Sequence, residues 1–274
     1  MMTIESAATL NNGVSMPWLG LGVFKAEPGA EVEQAVSWAL EAGYRHIDTA
    51  TLYRNEESVG RAIAQSGLSR DEIFVTTKLW NDEQDDPSTA IDRSLHRLGF
   101  EYVDLYLVHW PITARIEQTW AAMERILDDG SARAIGVSNF LIPYLDRLLA
   151  GAGVVPAVNQ VEFHPRLQQP ELHRYCESHG IIVEAWSPIM RGAVNDIPEL
   201  VAIGDRHGKS AVQVTLRWML QYGVITIPKS VGRERIHANA DLYDFELSAA
   251  ELLAIEALDR GERLGPHPRV FAGG

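Results

Sequence analysis

Short apolar runs alternate with amphipathic stretches along almost the entire chain. The runs are rich in Val, Ile, Leu and aromatic residues, a composition typical of strands that are buried on both faces. We predict eight such strands, at 19–24, 46–50, 73–78, 104–109, 134–139, 158–163, 181–186 and 224–229. Between the runs, apolar residues recur at three- and four-residue spacing, which indicates helices. The predicted helices lie at 28–42, 56–65, 88–98, 116–128, 142–149, 169–178, 197–207, 211–221 and 248–258.

This regular alternation of strand and helix predicts a parallel sheet covered by helices. Eight such units without a break in composition favour a closed (β/α)8 TIM barrel over an open doubly wound α/β sheet. No linker rich in Pro, Gly or Ser divides the chain, so we predict one domain over residues 1–274.

Two segments fall outside the alternation. Residues 10–16 contain an Asn-Gly pair between apolar residues, which predicts a small β-hairpin that closes one end of the core. Residues 261–274 are rich in Gly and Pro and show no helical pattern. Any order in this C-terminal tail must therefore come from docking on the barrel.

Three consecutive predicted strands end in groups that can carry chemistry. Asp48, Lys78 and His109 lie at or next to their carboxyl ends, and Tyr53 follows the first of them. Parallel strands of a barrel bring their carboxyl ends together, so the four side chains are expected to meet. Each residue taken alone fits a structural role in the core. Buried Lys and Asp are rare, however, and an ion pair costs desolvation, so the whole cluster favours a functional site.

The chemistry that fits this cluster is proton transfer to a carbonyl oxygen. A tyrosine is a weak acid at neutral pH, and we expect the Lys78 ammonium to bring the pKa of Tyr53 down. Asp48 would keep Lys78 charged and oriented. Tyr53 would then donate a proton to a developing alkoxide, while His109 orients the carbonyl by hydrogen bonding.

Composition limits the classes of partner and compartment. The formal net charge of -13 argues against nucleic acid and anionic membrane surfaces as partners. A single cysteine, Cys176, excludes an internal disulfide and a cysteine-rich zinc site, which fits a reducing compartment. Residues 1–10 lack the pattern of a signal peptide, and no apolar run is long enough for a membrane span. We therefore expect a cytoplasmic protein.

Three other motifs are weak. The Gly20-x-Gly22 pair has Lys25 where a dinucleotide fingerprint needs its third glycine. Residues 136–140 resemble a nucleophile elbow without its second glycine, so Ser138 is expected to form hydrogen bonds and not to attack a substrate. No histidine pair with the spacing of a metal site accompanies Asp48 or His109, so we predict no metal.

Five spaced motifs stand in order along the chain: G-Y-R-H-I-D-T-A-x-x-Y-x-N-E at 43–56, T-K-L-W at 77–80, V-D-L-Y-L-V-H-W-P at 103–111, G-V-S-N-F at 136–140 and I-P-K-S-V at 227–231. Together they resemble the aldo-keto reductase superfamily over nearly the whole chain, and within it the bacterial 2,5-diketo-D-gluconate reductase-like branch. The resemblance implies a (β/α)8 barrel that uses NADPH to reduce aldehydes and ketones. The family's catalytic tetrad would correspond to Asp48, Tyr53, Lys78 and His109.

The resemblance also implies a cofactor groove. Ser138, Asn139 and Gln160 would bind the nicotinamide carboxamide, and Trp186 would stack under the ring, although a plain core role is the alternative for Trp186. The loop along the pyrophosphate would contain Ser187, Pro188, Ile189 and Gly192. The residues around the adenosine 2'-phosphate would be Lys229, Ser230, Val231 and Arg235. Asn239 would contact the adenine. Ala238 and Gly232 depart from the residues that many members carry, so the adenine is expected to be held less tightly.

The substrate pocket would be walled by aromatic side chains. Phe24, Trp80 and Trp110 stand at strand ends, with core packing as the alternative. In the resembling family the C-terminal tail covers this pocket, which would bring Phe271 near the wall. The expected partner is a small carbonyl compound bound by a monomer. Two rival hypotheses are an NADPH-binding regulatory or sensor subunit with little turnover, and a metal-dependent hydrolase on the same barrel.

Overall fold

Eight parallel strands follow one another in chain order around one sheet of the computed structural model, which describes residues 2–271. A separate antiparallel hairpin of β1 (Ala7–Thr9) and β2 (Ser15–Pro17) precedes them. The strands of the sheet are β3 (Leu21–Gly22), β4 (His46–Asp48), β5 (Phe74–Leu79), β6 (Val103–Val108), β7 (Ala132–Ser138), β8 (Val158–Glu162), β9 (Ile182–Trp186) and β10 (Ile225–Thr226). Each strand pairs with its neighbour in sequence, as a series of β-α units requires.

Backbone contacts between the first and the last strand close the sheet. Leu19 pairs with Thr226 and Gly22 pairs with Lys229, both in parallel orientation. The Gly20 amide donates to the Thr226 carbonyl at 2.9 Å. A side chain at Gly22 would place its Cβ 2.8 Å from the Ile227 carbonyl oxygen, so this approach needs glycine. The predicted (β/α)8 barrel is confirmed.

Ten helices surround the sheet within residues 2–271. They are α1 (Ala30–Glu41), α2 (Glu56–Gln65), α3 (Pro87–Leu98), α4 (Ile116–Asp128), α5 (Ile142–Leu149), α6 (Pro170–Ser178), α7 (Pro198–His207), α8 (Ala211–Gln221), α9 (Arg233–Ala240) and α10 (Ala249–Glu256). Side-chain hydrogen bonds at the first turn define the start of several helices. Ser210 and Ser248 each accept the amide three residues later and start α8 and α10 with capping boxes.

Helix α9 was not predicted, and strands β3 and β10 are shorter than predicted. Helix α9 buries only Ile236 and Asn239, so it lacks the apolar spacing that reveals a helix. Strands β3 and β10 have two residues each, although 19–24 and 224–229 were expected. Pro228 has no amide hydrogen with which to continue the ladder of β10.

The hairpin closes the amino-terminal end of the barrel, as expected. Its residues Ala8, Leu10 and Met16 are buried and form one apolar cluster with barrel residues that include Leu105 and Leu107. The larger apolar cluster lies mainly between strands and helices. At the carboxyl ends of the strands, polar side chains that include Asp48, Lys78 and Gln160 are buried beside these apolar residues. No helix within residues 2–271 is long and apolar enough to cross a membrane.

Candidate active site

The carboxyl ends of β4, β5 and β6 bring the predicted tetrad together. Asp48 is the last residue of β4, Lys78 is the penultimate residue of β5, and His109 follows β6. Tyr53 ends a short 3-10 turn, Thr51–Tyr53, just after β4. Lys78 Nζ lies 2.7 Å from each Asp48 carboxylate oxygen and 3.4 Å from Tyr53 Oη. Lys78 therefore links the carboxylate to the phenol.

The Asp48–Lys78 pair is sealed from solvent. Lys78 is fully buried, and its third contact is the Thr49 carbonyl oxygen at 2.9 Å. Burial alone disfavours the ammonium, but the charge and the hydrogen bonds of Asp48 favour it, and the pKa of Lys78 lies above its usual value. Burial raises the pKa of Asp48, while Lys78 opposes that shift. Because the ammonium bonds both oxygens, the pair stays ionised at neutral pH.

The pKa of Tyr53 departs from the sequence-based expectation. Burial raises the pKa of Tyr53 to about 12, although Lys78 lowers it from a still higher value. The expectation of a pKa below the ordinary tyrosine value is wrong for this structure, because desolvation of the phenolate exceeds the attraction of the ammonium. At neutral pH Tyr53 is therefore protonated, which is the form that a proton donor needs.

His109 faces the same space from the third strand. Its backbone amide donates to the Leu79 carbonyl at 3.1 Å, and its ring lies between those of Tyr53 and Trp80, at centroid distances of 5.8 and 5.0 Å. Burial and the nearby Lys78 ammonium hold the pKa of His109 well below its usual value. The ring is therefore a neutral imidazole, with one N–H to donate and one nitrogen to accept.

A second layer of polar side chains lies under the tetrad. Gln160 Nε2 donates to Asp48 Oδ2 at 2.8 Å and to Glu184 Oε2 at 2.7 Å. Glu184 is fully buried, and its other oxygen lies 3.6 Å from Nε2 of the buried His46. Glu184 was not predicted as a site residue. The sequence feature that could have identified it is its position in the middle of the apolar run Ile182–Trp186, because a carboxylate is rare inside a buried strand.

The residues expected at the nicotinamide carboxamide come together at the ends of β7, β8 and β9. Ser138 Oγ donates to the Gln160 carbonyl at 2.8 Å, and Asn139 Nδ2 donates to the His109 carbonyl at 3.0 Å. Trp186 donates its indole N–H to Asn139 Oδ1 at 2.9 Å. These bonds fix one wall next to the tetrad. The Trp186 ring is half-buried and keeps a surface for stacking.

The remaining predicted cofactor residues extend from this wall in two groups. Ser187, Pro188 and Ile189 follow β9, and Gly192 lies within the 3-10 helix Met190–Asp196 after them. Lys229, Ser230 and Val231 follow β10, while Arg235 and Asn239 lie on α9.

The cationic group after β10 has two free members. Arg233 lies 3.6 Å from Glu41, but Lys229 and Arg235 are exposed and form no salt bridge within the part of the chain that the structure describes. A side chain at Gly232 would place its Cβ 2.9 Å from Arg235 Nη2, so the guanidinium folds back over the loop. The arrangement suits a phosphate, because both cations are available.

Aromatic rings wall the space above the tetrad. Phe24 is 46% exposed, and its ring centroid lies 4.9 Å from that of Tyr53. Trp110 is buried and lies 4.2 Å from the Phe271 ring, while Trp80 lies 6.4 Å from it. All three predicted pocket residues therefore line one space, and the C-terminal tail covers it as expected.

The tail is held by a carboxylate that the sequence analysis did not identify. Glu162, at the end of β8, is fully buried, and its Oε1 accepts the amides of Leu264 and Gly265 at 2.6 and 3.0 Å. Arg263 lies 3.5 Å from the other oxygen. A methyl group at Gly265 would come within 2.4 Å of Trp186 Cη2, so the tail lies directly against the indole. Glu162 thus connects the tail to the wall that Ser138, Asn139 and Trp186 form next to the tetrad.

The polar groups of the site fit a dinucleotide better than a metal. Gln160 Oε1 accepts no hydrogen bond from residues 2–271. The atom is not fully shielded from solvent, so it remains available as an acceptor for a ligand. An aromatic face and two free cations lie on the same edge of the barrel. Among the described residues, no group of three His, Cys, Asp or Glu side chains could hold a metal ion.

Comparisons with known proteins agree with this geometry. The Aldo/keto reductase family matches residues 19–260. Glyoxal reductase of Bacillus subtilis (strain 168) is 51% identical over 268 residues, 97% of each chain. Methylglyoxal reductase DkgA of Yersinia pestis is 47% identical over 274 residues, 98% of this chain and 99% of the relative. The crystal structure of Bombyx mori aldo-keto reductase in complex with NADP superposes with a TM-score of 0.90 at 38% identity, covering 97% of this chain and 96% of that one.

Proposed function

The chain belongs to the aldo/keto reductase family, and from this premise we propose that it is an NADPH-dependent reductase of aldehydes and ketones. The observation that carries the proposal is the contact of Lys78 Nζ with both Asp48 and Tyr53 Oη, beside the neutral imidazole of His109. A buried ammonium held by a carboxylate and directed at a phenol is an arrangement for proton donation.

The reaction needs a hydride donor and a proton donor on the same carbonyl group. When bound, NADPH would supply the hydride for the carbonyl carbon. Tyr53 donates its phenolic proton to the carbonyl oxygen, and the adjacent Lys78 ammonium stabilises the phenolate that forms. Asp48 keeps Lys78 charged and in place. His109, as a neutral donor, orients the carbonyl oxygen toward Tyr53.

The cofactor would lie along the edge formed by β7 to β10. Ser138, Asn139 and Gln160 would bind the carboxamide, and the half-buried face of Trp186 would stack on the ring. The 187–192 loop would follow the pyrophosphate. Lys229 and Arg235, with the Ser230 hydroxyl, would bind the 2'-phosphate that distinguishes NADPH from NADH. Val231 and Asn239 would contact the adenosine.

We propose small dicarbonyls, keto-sugars and activated aldehydes as substrates. The relatives named glyoxal reductase and methylglyoxal reductase support the first class. The pocket is also open on the side of Phe24, which is 46% exposed. Only the short turn Thr113–Arg115 separates Trp110 and Pro111 from helix α4, so no long loop closes over the site there.

The decisive experiment is a substrate panel with the purified protein. The fall of NADPH absorbance is followed with methylglyoxal, phenylglyoxal, a keto-sugar and a simple aldehyde, and repeated with NADH. Turnover that prefers NADPH and is indifferent to a chelator is expected. Binding of NADPH without reduction of any carbonyl would favour a sensor, and activity abolished by the chelator would favour metal chemistry; either result contradicts the proposal.

A further inference from the structure

Glu184 occupies an unusual place for a carboxylate, inside the barrel and directly below the tetrad. It is fully buried on β9, and the amide of Gln160 lies between it and Asp48. Both N–H groups of that amide are used, one on each carboxylate. The opposite orientation would turn the Gln160 carbonyl toward two acids, which is unfavourable whenever Asp48 is ionised. The acids therefore decide which end of Gln160 faces outward.

The charges of this cluster do not balance if both acids are ionised. Lys78 is the one ammonium, and it bonds both oxygens of Asp48 but does not touch Glu184. His46 supplies no cation, because burial lowers its pKa to about 3. An ionised Glu184 would therefore be a buried anion without a counter-ion, which is strongly disfavoured. Burial, reinforced by the charge of Asp48, raises the pKa of Glu184 to about 8.

We propose that Glu184 is a positioning residue that works as a neutral carboxylic acid. It accepts one N–H of Gln160 and so fixes the Gln160 carbonyl toward the cofactor edge as an acceptor for the nicotinamide carboxamide. It also keeps a second negative charge away from the Asp48–Lys78 pair. The role rests on the proposed function, because it acts through the cofactor and the tetrad.

Ionisation of Glu184 would disturb the site in a defined direction. The groups that face it are His46 and Asp48 on β4, Lys78 on β5 and Gln160 on β8, while β10 presents the non-titratable Ile225 and Thr226. A charge on Glu184 raises the pKa values of both Tyr53 and Lys78. Tyr53 would become a weaker proton donor. Turnover should therefore fall as the pH rises through the pKa of Glu184.

Two substitutions separate the neutral acid from an ionised one. Glu184→Gln has the shape of the neutral acid and still offers a carbonyl acceptor to Gln160, whereas Glu184→Met fills similar volume without an acceptor. We expect E184Q to keep kcat/KM for methylglyoxal within about twofold of wild type and to lose the alkaline decline near the pKa of Glu184. E184M should lose about tenfold or more in kcat/KM, with a raised KM for NADPH, because Gln160 then keeps only its bond to Asp48 and its carbonyl is held less firmly toward the cofactor edge.

An infrared measurement reads the proton without any turnover. At neutral pH the wild type should show the C=O band of a buried carboxylic acid, and this band should be absent in E184Q. A band that persists in E184Q would place the proton on another group and overturn the proposal. An alkaline decline of E184Q identical to that of wild type, or E184M kinetics equal to wild type, would do the same. Absence of turnover in the wild type itself would instead contradict the proposed function and leave the infrared result standing.

Discussion

Lys78 lies between a carboxylate and a phenol, and the two neighbours give it different tasks. Asp48 holds the ammonium through two bonds of 2.7 Å, while Tyr53 Oη is only loosely bonded, at 3.4 Å. The tight contact keeps the charge in place. The loose contact leaves the phenol free to turn toward a substrate while the ammonium still favours its phenolate. Both tasks fall on one atom, Lys78 Nζ.

Replacing Tyr53 by Phe removes the proposed proton donor and preserves the ring. We expect kcat to fall at least about 100-fold, since general acid catalysis by a positioned group contributes at least that much. NADPH binding, followed by quenching of protein fluorescence, should stay close to wild type. Tyr175→Phe is the matched control, because that phenol bonds Asp146 outside the site. A Y53F enzyme with a large share of wild-type kcat would contradict the assignment of the acid.

Replacing Lys78 by Met tests the ion pair and the chemistry separately. The variant leaves Asp48 as a lone buried carboxylate, so the free energy of unfolding should fall by about 3–5 kcal/mol. That loss should shrink as the pH falls, because protonation removes the unpaired charge. The double variant Asp48→Asn with Lys78→Met should recover most of the stability without recovering turnover. Urea denaturation at several pH values and steady-state kinetics measure both quantities, and wild-type turnover in either variant would point to a purely structural pair.

At the scale of elements, the cofactor edge combines strands that were easy to predict with a helix that was not. The strand ends at Ser138, Gln160 and Trp186 follow from long apolar runs. Helix α9 escaped notice because its polar face dominates its sequence. It nevertheless carries Arg235 and Asn239, which only the family resemblance predicts as cofactor residues. A motif can therefore nominate functional residues in a segment whose secondary structure cannot be read from periodicity.

The loop after β10 and the start of α9 should discriminate between the two nicotinamide cofactors. Lys229→Gly with Arg235→Ala would remove the two charge-assisted contacts that we propose to the 2'-phosphate, each worth about 1.5–3 kcal/mol. NADPH should bind at least about tenfold more weakly, whereas NADH binding should hardly change. Arg61→Ala is the control, since this exposed arginine pairs with Glu33 and Glu57 on other surfaces. Equal losses for both cofactors would show that these cations do not bind that phosphate.

At the scale of the whole molecule, the tail joins three parts of the barrel that lie far apart in sequence. Its amides at Leu264 and Gly265 bond Glu162, Gly265 contacts Trp186, and Phe271 packs on Trp110. Deleting residues 262–274 would therefore remove two donors from a buried carboxylate as well as the pocket wall. Loss of stability would then obscure any change in selectivity.

A single substitution isolates the pocket wall from the anchor. Phe271→Ala removes the ring beside Trp110 and Trp80 and keeps the bonds to Glu162. We expect kcat/KM for large aromatic aldehydes to fall about tenfold, because aromatic contacts of this kind contribute about 0.5–1.5 kcal/mol beyond burial. The kcat/KM for methylglyoxal should hardly change. Val270→Ala is the control, since Val270 is 79% exposed. Equal losses for both substrate classes would show that Phe271 acts through folding or cofactor closure.

The order of strands and helices was predictable from the pattern of residues along the chain, as were the strand ends at which polar groups stand. Helices 56–65, 116–128, 142–149 and 211–221 were predicted with the boundaries that the structure has. The periodicity of buried positions and the capping residues depend only on residues close together in sequence, so both can be recognised without the structure. The meeting of Asp48, Tyr53, Lys78 and His109 followed from barrel geometry alone, although their catalytic roles remain predictions.

The pKa values of buried groups could be read only from the three-dimensional arrangement of their neighbours. The raised pKa values of Glu184 and Tyr53 depend on side chains from distant strands, and the anchoring of the tail depends on two of its own backbone amides reaching Glu162. A pKa is set by the balance between desolvation and neighbouring charges, and that balance can change sign with a shift of a few ångströms. Sequence patterns record which residues are buried. They do not record the balance between desolvation and neighbouring charges at each buried group, and in this barrel that balance sets the protonation of Tyr53.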